Sequence, residues 1–144
     1  METLYTAETL ATGAGRDGHV RSTDGKLDVD LSIPREMGGG GEGTNPEQLF
    51  AAGYAACFAN AMRSTARRED RESVVDGSTV TAEVDIGRSG PGGRFGLAVR
   101  LKADVPGLPQ SDAEELVAAA HERCPYSNAT RGNIEVDLVV TGGS

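Results

Sequence analysis

Cys57 and Cys124 are the residues of this sequence best suited to covalent chemistry. A cysteine inside a fold is ordinarily a small inert hydrophobe. Three features pull the other way. Cys57 stands among very small residues (Ala51, Ala52, Gly53, Ala55, Ala56 and Ala59), so the backbone there can approach something bulky. Cys124 ends an apolar helical stripe, so both thiols are expected to point toward the same core. Glu47 and Gln48 sit on the helix leading to Cys57 without an obvious surface partner. Two thiols facing one apolar interior suggest a nucleophile and a resolving partner. The inert reading stays open on these residues alone.

Other sets of residues carry less. Gly38, Gly40 and Gly43 satisfy GxGxxG ahead of a helix, but no βαβ unit follows, no P-loop lysine is present and Glu42 would repel a phosphate. A loop is the expectation. Arg63, Arg67 and Arg71 share one helix face, where they can form an anion patch. Their position late in a helix, beside Glu69, Asp70 and Glu72, favours dipole compensation and ion pairing instead. His19 and His121 are not spaced as a metal pair, His121 reads as a surface residue, and no CxxC is present, so no metal site is expected.

The elements that must position the cysteines follow from periodicity. Leu27, Val29, Leu31 and Ile33 alternate with polar residues as a half-buried strand, and Asp24-Gly25 before it signals a hairpin with a partner over 18–23. A weaker strand is expected from Leu4 to Leu10. Val80 to Ile86 and Phe95 to Val105 alternate likewise, joined through the loop Gly87 to Gly93, and Ile134 to Val140 forms a last strand. One polar face per strand predicts antiparallel sheets. A first helix opens at the N-cap Asn45 with Pro46 at its first position, Gln48 placed for a capping-box pair, and a run to about Arg71. Phe50, Gly53, Cys57 and Ala61 follow along it at helical spacing. A second helix opens with the capping box Ser111-Asp112-Ala113-Glu114, and its stripe Ala113, Leu116, Val117 and Ala120 leads to Cys124 before Pro125. The order β-β-β-α-β-β-α-β is that of a single α+β domain over residues 1–144.

Composition excludes several classes. The chain has 144 residues and net charge −8, so a nucleic-acid partner is not expected. Aromatic residues make up 4% and Trp is absent, leaving few platforms on which bases could stack. No run approaches the ~20 apolar residues of a membrane span, and Met1-Glu2-Thr3-Leu4 lacks the features of a signal peptide. Neither secretion nor membrane insertion is expected.

The run from Asn45 to Phe58, Asn-Pro-Glu-Gln-Leu-Phe-Ala-Ala-Gly-Tyr-Ala-Ala-Cys-Phe, resembles the signature of organic hydroperoxide resistance proteins. These form the thiol-peroxidase branch of the superfamily shared with osmotically inducible protein C (OsmC). Cys124 to Asn133, Cys-Pro-Tyr-Ser-Asn-Ala-Thr-Arg-Gly-Asn, is similar to that family's second signature, and Gly15 to Gly18 with Ser22 to Gly25 to its N-terminal hairpin. The resemblance covers essentially the whole chain. Departures are confined to Ala59-Asn60-Ala61-Met62 and the loop Gly87 to Gly93, both of which can alter a pocket rim.

The resemblance implies that Cys57 is the peroxidatic thiol and Cys124 the resolving thiol, with Arg16 and Glu47 as the polar pair that activates Cys57. It implies reduction of organic, often fatty-acid, hydroperoxides to alcohols through a Cys57–Cys124 disulfide. No bound cofactor is implied; dihydrolipoamide or a lipoylated protein serves as reductant. Intertwined homodimers in the bacterial cytoplasm are implied as well. The chemistry is consistent with these roles: a permanent charge on Arg16 can lower a thiol's pKa, and Glu47 can hold its planar fork. An apolar pocket of Ala, Phe and Leu suits an alkyl hydroperoxide better than hydrogen peroxide. Two alternatives stand beside this reading: an OsmC-type peroxidase of broader peroxide preference, and a non-enzymatic thiol redox sensor. Because Glu47 precedes Cys57 by ten residues, either the helix breaks near Gly53 or the Arg16–Glu47 pair comes from a second chain.

Overall fold

The computed structural model describes residues 1–143. The chain falls into two compact units, Met1–Leu49 and Phe50–Ser144.

The first unit is a three-stranded sheet in the order β1 (Thr9–Thr12), β2 (His19–Ser22), β3 (Asp28–Asp30), antiparallel throughout. The expected Asp24-Gly25 turn joins β2 to β3. Asp24 accepts hydrogen bonds from the Ser22 hydroxyl and the Lys26 N–H, while Gly25 takes a positive φ of 73°. The strand expected at Leu4 to Leu10 forms only from Thr9, and β3 is shorter than the expected Leu27 to Ile33, continuing as a single bridge from Leu31 to Thr44. The glycine-rich run is a packed loop. A Cβ on Gly39 would lie 2.0 Å from the Ile33 carbonyl oxygen, so close backbone approach explains a glycine there without any phosphate. Within this unit Leu31 is the one buried side chain among the described residues.

Helix α1 (Pro46–Arg68) is unbroken. Asn45 Oδ1 accepts the Gln48 N–H at 2.8 Å, the expected N-cap. The Gln48 side chain does not return to Asn45; it accepts from the Thr44 hydroxyl, so half of the box is made. The helix stops three residues short of the expected Arg71. Asp70 takes a left-handed φ of 56°, and the Arg71 N–H reaches back to the Ala66 carbonyl, a Schellman-type ending.

The second unit holds a sheet in the order β4 (Thr79–Ser89), β5 (Arg94–Pro109), β6 (Val136–Gly143). On β5 the buried Val99, Leu101, Ala103 and Val105 alternate with Arg100, Lys102 and Asp104, the period of two expected from the sequence. The strands run further into the Gly87-to-Gly93 segment than expected, leaving only a tight turn after Ser89. Helix α2 (Gln110–Arg123) and helix α3 (Pro125–Thr130) lie between β5 and β6. The core joins Tyr54, Phe58 and Met62 of α1, Leu116, Val117 and Ala120 of α2, and the buried face of β5. Each buried Val, Leu, Met or Phe among them contributes about 1.5–3 kcal/mol by burial.

Two expectations are corrected here. β4 and β5 are antiparallel, but β6 runs parallel to β5. Alternation fixes which face of a strand is buried and says nothing of its direction, whereas the α2–α3 crossover is what a parallel connection requires. The capping box at Ser111 does not form either. The helix begins at Gln110 after Pro109, with no side-chain cap, and the Gln110 amide instead bonds Glu114, the Val140 carbonyl and the Gly142 N–H.

Candidate functional site

The four residues singled out from the sequence form two close pairs, one in each unit. In the first unit, Arg16 follows the β1 end in a 3₁₀ turn (Gly15–Asp17), and Glu47 lies in the first turn of α1. Arg16 donates to Glu47 through both terminal nitrogens, at 2.9 and 2.7 Å, a fork-on-carboxylate geometry. The pair raises the Arg16 pKa and lowers that of Glu47, chiefly through the mutual hydrogen bond, and both remain charged across the neutral range. Glu47, which had no visible partner in the sequence, has this one.

In the second unit the two thiols are free, with the sulfurs 3.5 Å apart. Cys124 is fully buried where α2 gives way to α3; Cys57 is half-buried on α1. The buried stripe of α1 is Tyr54, Phe58, Ala61, Met62, Thr65 and Ala66, so Cys57 stands at the edge of the apolar face rather than at its centre. That placement leaves one side of the thiol accessible. Burial pushes the Cys57 thiol up from its ordinary value, and neighbouring Cys124 adds to this; the Tyr126 N–H pulls the other way. No cation contributes.

Cys57 also marks a change of character along its helix. Toward the N-terminus, Phe50 and Gly53 share its face, and Tyr126 lies against Gly53. A Cβ there would meet the Tyr126 hydroxyl at 2.6 Å and its ring at 3.1 Å, which accounts for the glycine in the middle of a helix. The Phe50, Tyr54 and Tyr126 rings meet at centroid distances of 5.6–6.2 Å. Toward the C-terminus, an open cleft of about 480 Å³ runs from Cys57 past Asn60, Ser64 and Arg68 of α1 and Arg123 and Asn128 opposite. Of the expected lining of Ala, Phe and Leu, the aromatic side presents Phe50, joined by Tyr126 rather than by a leucine. The cleft side is polar.

Two further sets differ from the sequence reading or refine it. Arg63 and Arg67 engage Glu72, Arg63 also reaches Asp76, and Arg71 pairs with Glu69, so the arginine face is a set of ion pairs. His121 is not a surface residue: it is half-buried, and its Nδ1 lies 2.8 Å from the Ser127 hydroxyl. Ser127, Tyr54 and Thr130 join it in a buried polar group that the sequence reading missed. The only signal was hydroxyls recurring at Ser127 and Thr130, one helical turn apart beyond Pro125. Among the described residues, no cluster of His, Cys, Asp or Glu is placed to hold a metal ion, and no helix is long and apolar enough to cross a membrane.

Comparison with known proteins identifies the family. The family model described as OsmC-like protein matches residues 39–139. An organic hydroperoxide resistance protein of Xanthomonas axonopodis pv. citri (strain 306) is 53% identical over 138 residues, spanning 95% of this chain and 94% of that protein. The organic hydroperoxide resistance protein OhrB of Bacillus subtilis (strain 168) is 47% identical over 135 residues, spanning 94% and 96%. Among solved structures, an organic hydroperoxide resistance protein from Legionella pneumophila superimposes with a TM-score of 0.90 at 51% identity, covering 97% of this chain and 99% of that one.

Proposed function

Since this chain belongs to the OsmC-like family, alongside its organic hydroperoxide resistance proteins, we propose that it is a cytoplasmic thiol peroxidase that reduces organic hydroperoxides to alcohols. The observation that carries the proposal is the 3.5 Å separation of the Cys57 and Cys124 sulfurs. The Cys57 thiolate attacks the terminal oxygen of ROOH, the O–O bond breaks, and the leaving alkoxide takes a proton to become ROH. Cys57 is left as a sulfenic acid. Cys124 then attacks that sulfur, forming the disulfide and releasing water. A dithiol reductant, of the lipoyl type, returns both cysteines to thiols and becomes a disulfide itself.

Burial raises the Cys57 pKa, so the reactive thiolate needs a cation brought to it. Arg16, oriented by Glu47, is the group suited to this. Glu47 and Cys57 lie ten residues apart on an unbroken α1, a rise of ~15 Å that a Glu side chain cannot span. The break near Gly53 that would have folded Glu47 back is absent. The reading is therefore an obligate homodimer in which Arg16 and Glu47 of one subunit serve Cys57 of the other. A first unit with Leu31 as its one buried side chain, and with Leu4, Tyr5 and Leu10 at 91, 77 and 67% exposure, supports a partner covering that sheet.

The alkyl group of the substrate is assigned to the aromatic side of Cys57, against Phe50 and Tyr126. Each CH₂ buried there gains roughly 0.8 kcal/mol. Alkyl hydroperoxides are accordingly expected to exceed hydrogen peroxide in kcat/KM, and equal efficiency for the two would overturn the assignment. The deciding assay is steady-state peroxide reduction with dihydrolipoamide, glutathione or thioredoxin as donor. Sustained turnover with dihydrolipoamide alone is expected. A single oxidation followed by arrest with every donor would make the protein a sensor.

A further inference from the structure

The buried hydroxyl group beneath the two cysteines has a defined direction. Thr130 Oγ1 donates to the Ser127 carbonyl at 3.2 Å, and a carbonyl can only accept. With that proton committed, the Tyr54 hydroxyl donates to Thr130 Oγ1 at 3.0 Å. The Tyr54 oxygen then accepts the Ser127 proton at 2.8 Å. Ser127 Oγ in turn accepts from His121 Nδ1 at 2.8 Å, so the imidazole carries its proton on Nδ1. Burial, with Arg131 second, holds the His121 pKa below its ordinary value, so the ring is neutral near pH 7 and Nε2 is the bare nitrogen.

The placement of this chain is what gives it a consequence. Tyr54 lies three residues before Cys57 on α1, and His121 three residues before Cys124 on α2. Ser127 and Thr130 lie on α3, which starts immediately after Cys124. Tyr54 and Ser127 are fully buried, and Thr130 is 4% exposed. The chain thus ties together the three helices that carry or flank both thiols, in an interior where unpaired hydroxyls are costly and polar networks hold one geometry.

We propose that the directed chain His121–Ser127–Tyr54–Thr130 is a positioning device that keeps Cys124 at closing distance from Cys57 and so protects the enzyme from overoxidation. This rests on Cys57 and Cys124 being nucleophile and resolving thiol. Once Cys57 is a sulfenic acid, two reactions compete for it. Attack by Cys124 gives the disulfide and water. A second hydroperoxide gives the sulfinic acid and a second alcohol. The ratio of the two products depends on how often Cys124 is in reach, and not on how fast the sulfenic acid was made.

The test is intact mass spectrometry of the full-length protein after exposure to rising cumene hydroperoxide, reading sulfinic acid against disulfide. In Tyr54→Phe and Thr130→Val, the peroxide concentration giving equal amounts of the two products should fall roughly two- to ten-fold, the range expected for one lost hydrogen bond. Thr130→Ser keeps the hydroxyl and should stay near the unmodified protein. An unchanged crossover in Tyr54→Phe and Thr130→Val, or one displaced as far in Thr130→Ser as in Thr130→Val, would overturn the positioning role. Should both hydroxyl deletions fail to fold, long-range ¹⁵N–¹H spectra of the unmodified protein decide the matter. The His121 ring should be the Nδ1–H tautomer, and an Nε2–H ring removes the directed chain. Failure of the unmodified protein to form any disulfide would instead overturn the peroxidase reading itself.

Discussion

The Arg16–Glu47 pair and the Cys57–Cys124 pair hold reactive groups in opposite ways. The first is fully charged and sits in a unit with one buried side chain; its geometry comes from a bidentate ion pair and the first turn of α1. The second packs against the core of the other unit; its geometry comes from α1, α2 and α3 around the thiols. Neither pair can supply what the other has. A guanidinium inside the second core would lose its hydration, and even partial burial pushes the Cys57 thiol up. Separation lets burial set the thiol–thiol distance while the cation keeps its hydration; on the proposed mechanism the two pairs meet only across the dimer.

The sharpest way to test this contrast is to remove one sulfur at a time. Cys57→Ser is expected to abolish turnover. Cys124→Ser should still consume one equivalent of peroxide and then accumulate sulfinic acid, visible by mass. The reverse pattern would exchange the two roles. Next in size is the loss of the cation: Arg16→Ala should slow the first oxidation by on the order of 10²-fold, as removal of one preorganised charge does elsewhere. Arg16→Lys should fall between, because an ammonium keeps the charge without the fork. Mixing Cys57→Ser with Arg16→Ala subunits by refolding should recover up to one working site of two per heterodimer. Heterodimers verified by mass that stay inactive would return the arginine to its own chain.

How far the sequence revealed this arrangement depended on whether the physics was local. The α1 cap, the Asp24-Gly25 turn and the buried face of β5 each follow from neighbouring residues, and each is present as expected. The direction of β6 is set by where the α2–α3 crossover delivers the chain, which no alternation records. Pro109 preceding Gln110 displaced the start of α2 from Ser111, because Gln110 found partners on β6, far off in sequence. At the site, both cysteines and the Arg16–Glu47 pair were legible chiefly through family resemblance; a contact across 31 residues has no local signature. His121 was misjudged because its partner, Ser127, lies beyond a helix break at Cys124.

The two units should also differ in how they bear the loss of an apolar side chain. Leu116→Ala in the second core is expected to cost about 2–5 kcal/mol, seen as a lower urea midpoint at any protein concentration. Leu10→Ala on β1 should cost less, and its cost should depend on concentration, because in the proposed dimer this exposed side chain is covered by a second copy. A Leu10→Ala effect that ignores concentration would argue against that covering partner.

The smallest expected effect is carried by the histidines, one in each unit, which should titrate with opposite sign. His19 lies between Asp30 and Asp28, and hydrogen bonds to both, Asp30 first, raise its pKa above the ordinary value near 6.5. A raised folded-state value means that the bridge contributes fully below about pH 6.5 and is lost as pH rises through the folded value. Its lower limit is set by Asp28, whose pKa is lowered chiefly by the same hydrogen bond. His121 behaves in reverse. Its lowered value means that the folded state resists the proton, so stability falls as pH drops from about 6.5 through the folded value. His19→Gln should therefore lose more melting temperature near pH 5.5 than near pH 9, both values flanking the ordinary histidine range. His121→Gln should do the opposite, narrowing the unmodified protein's loss of stability on acidification. Melting curves in which the two variants shift the pH profile in the same direction would end the distinction between a solvated charged pair and a buried neutral chain.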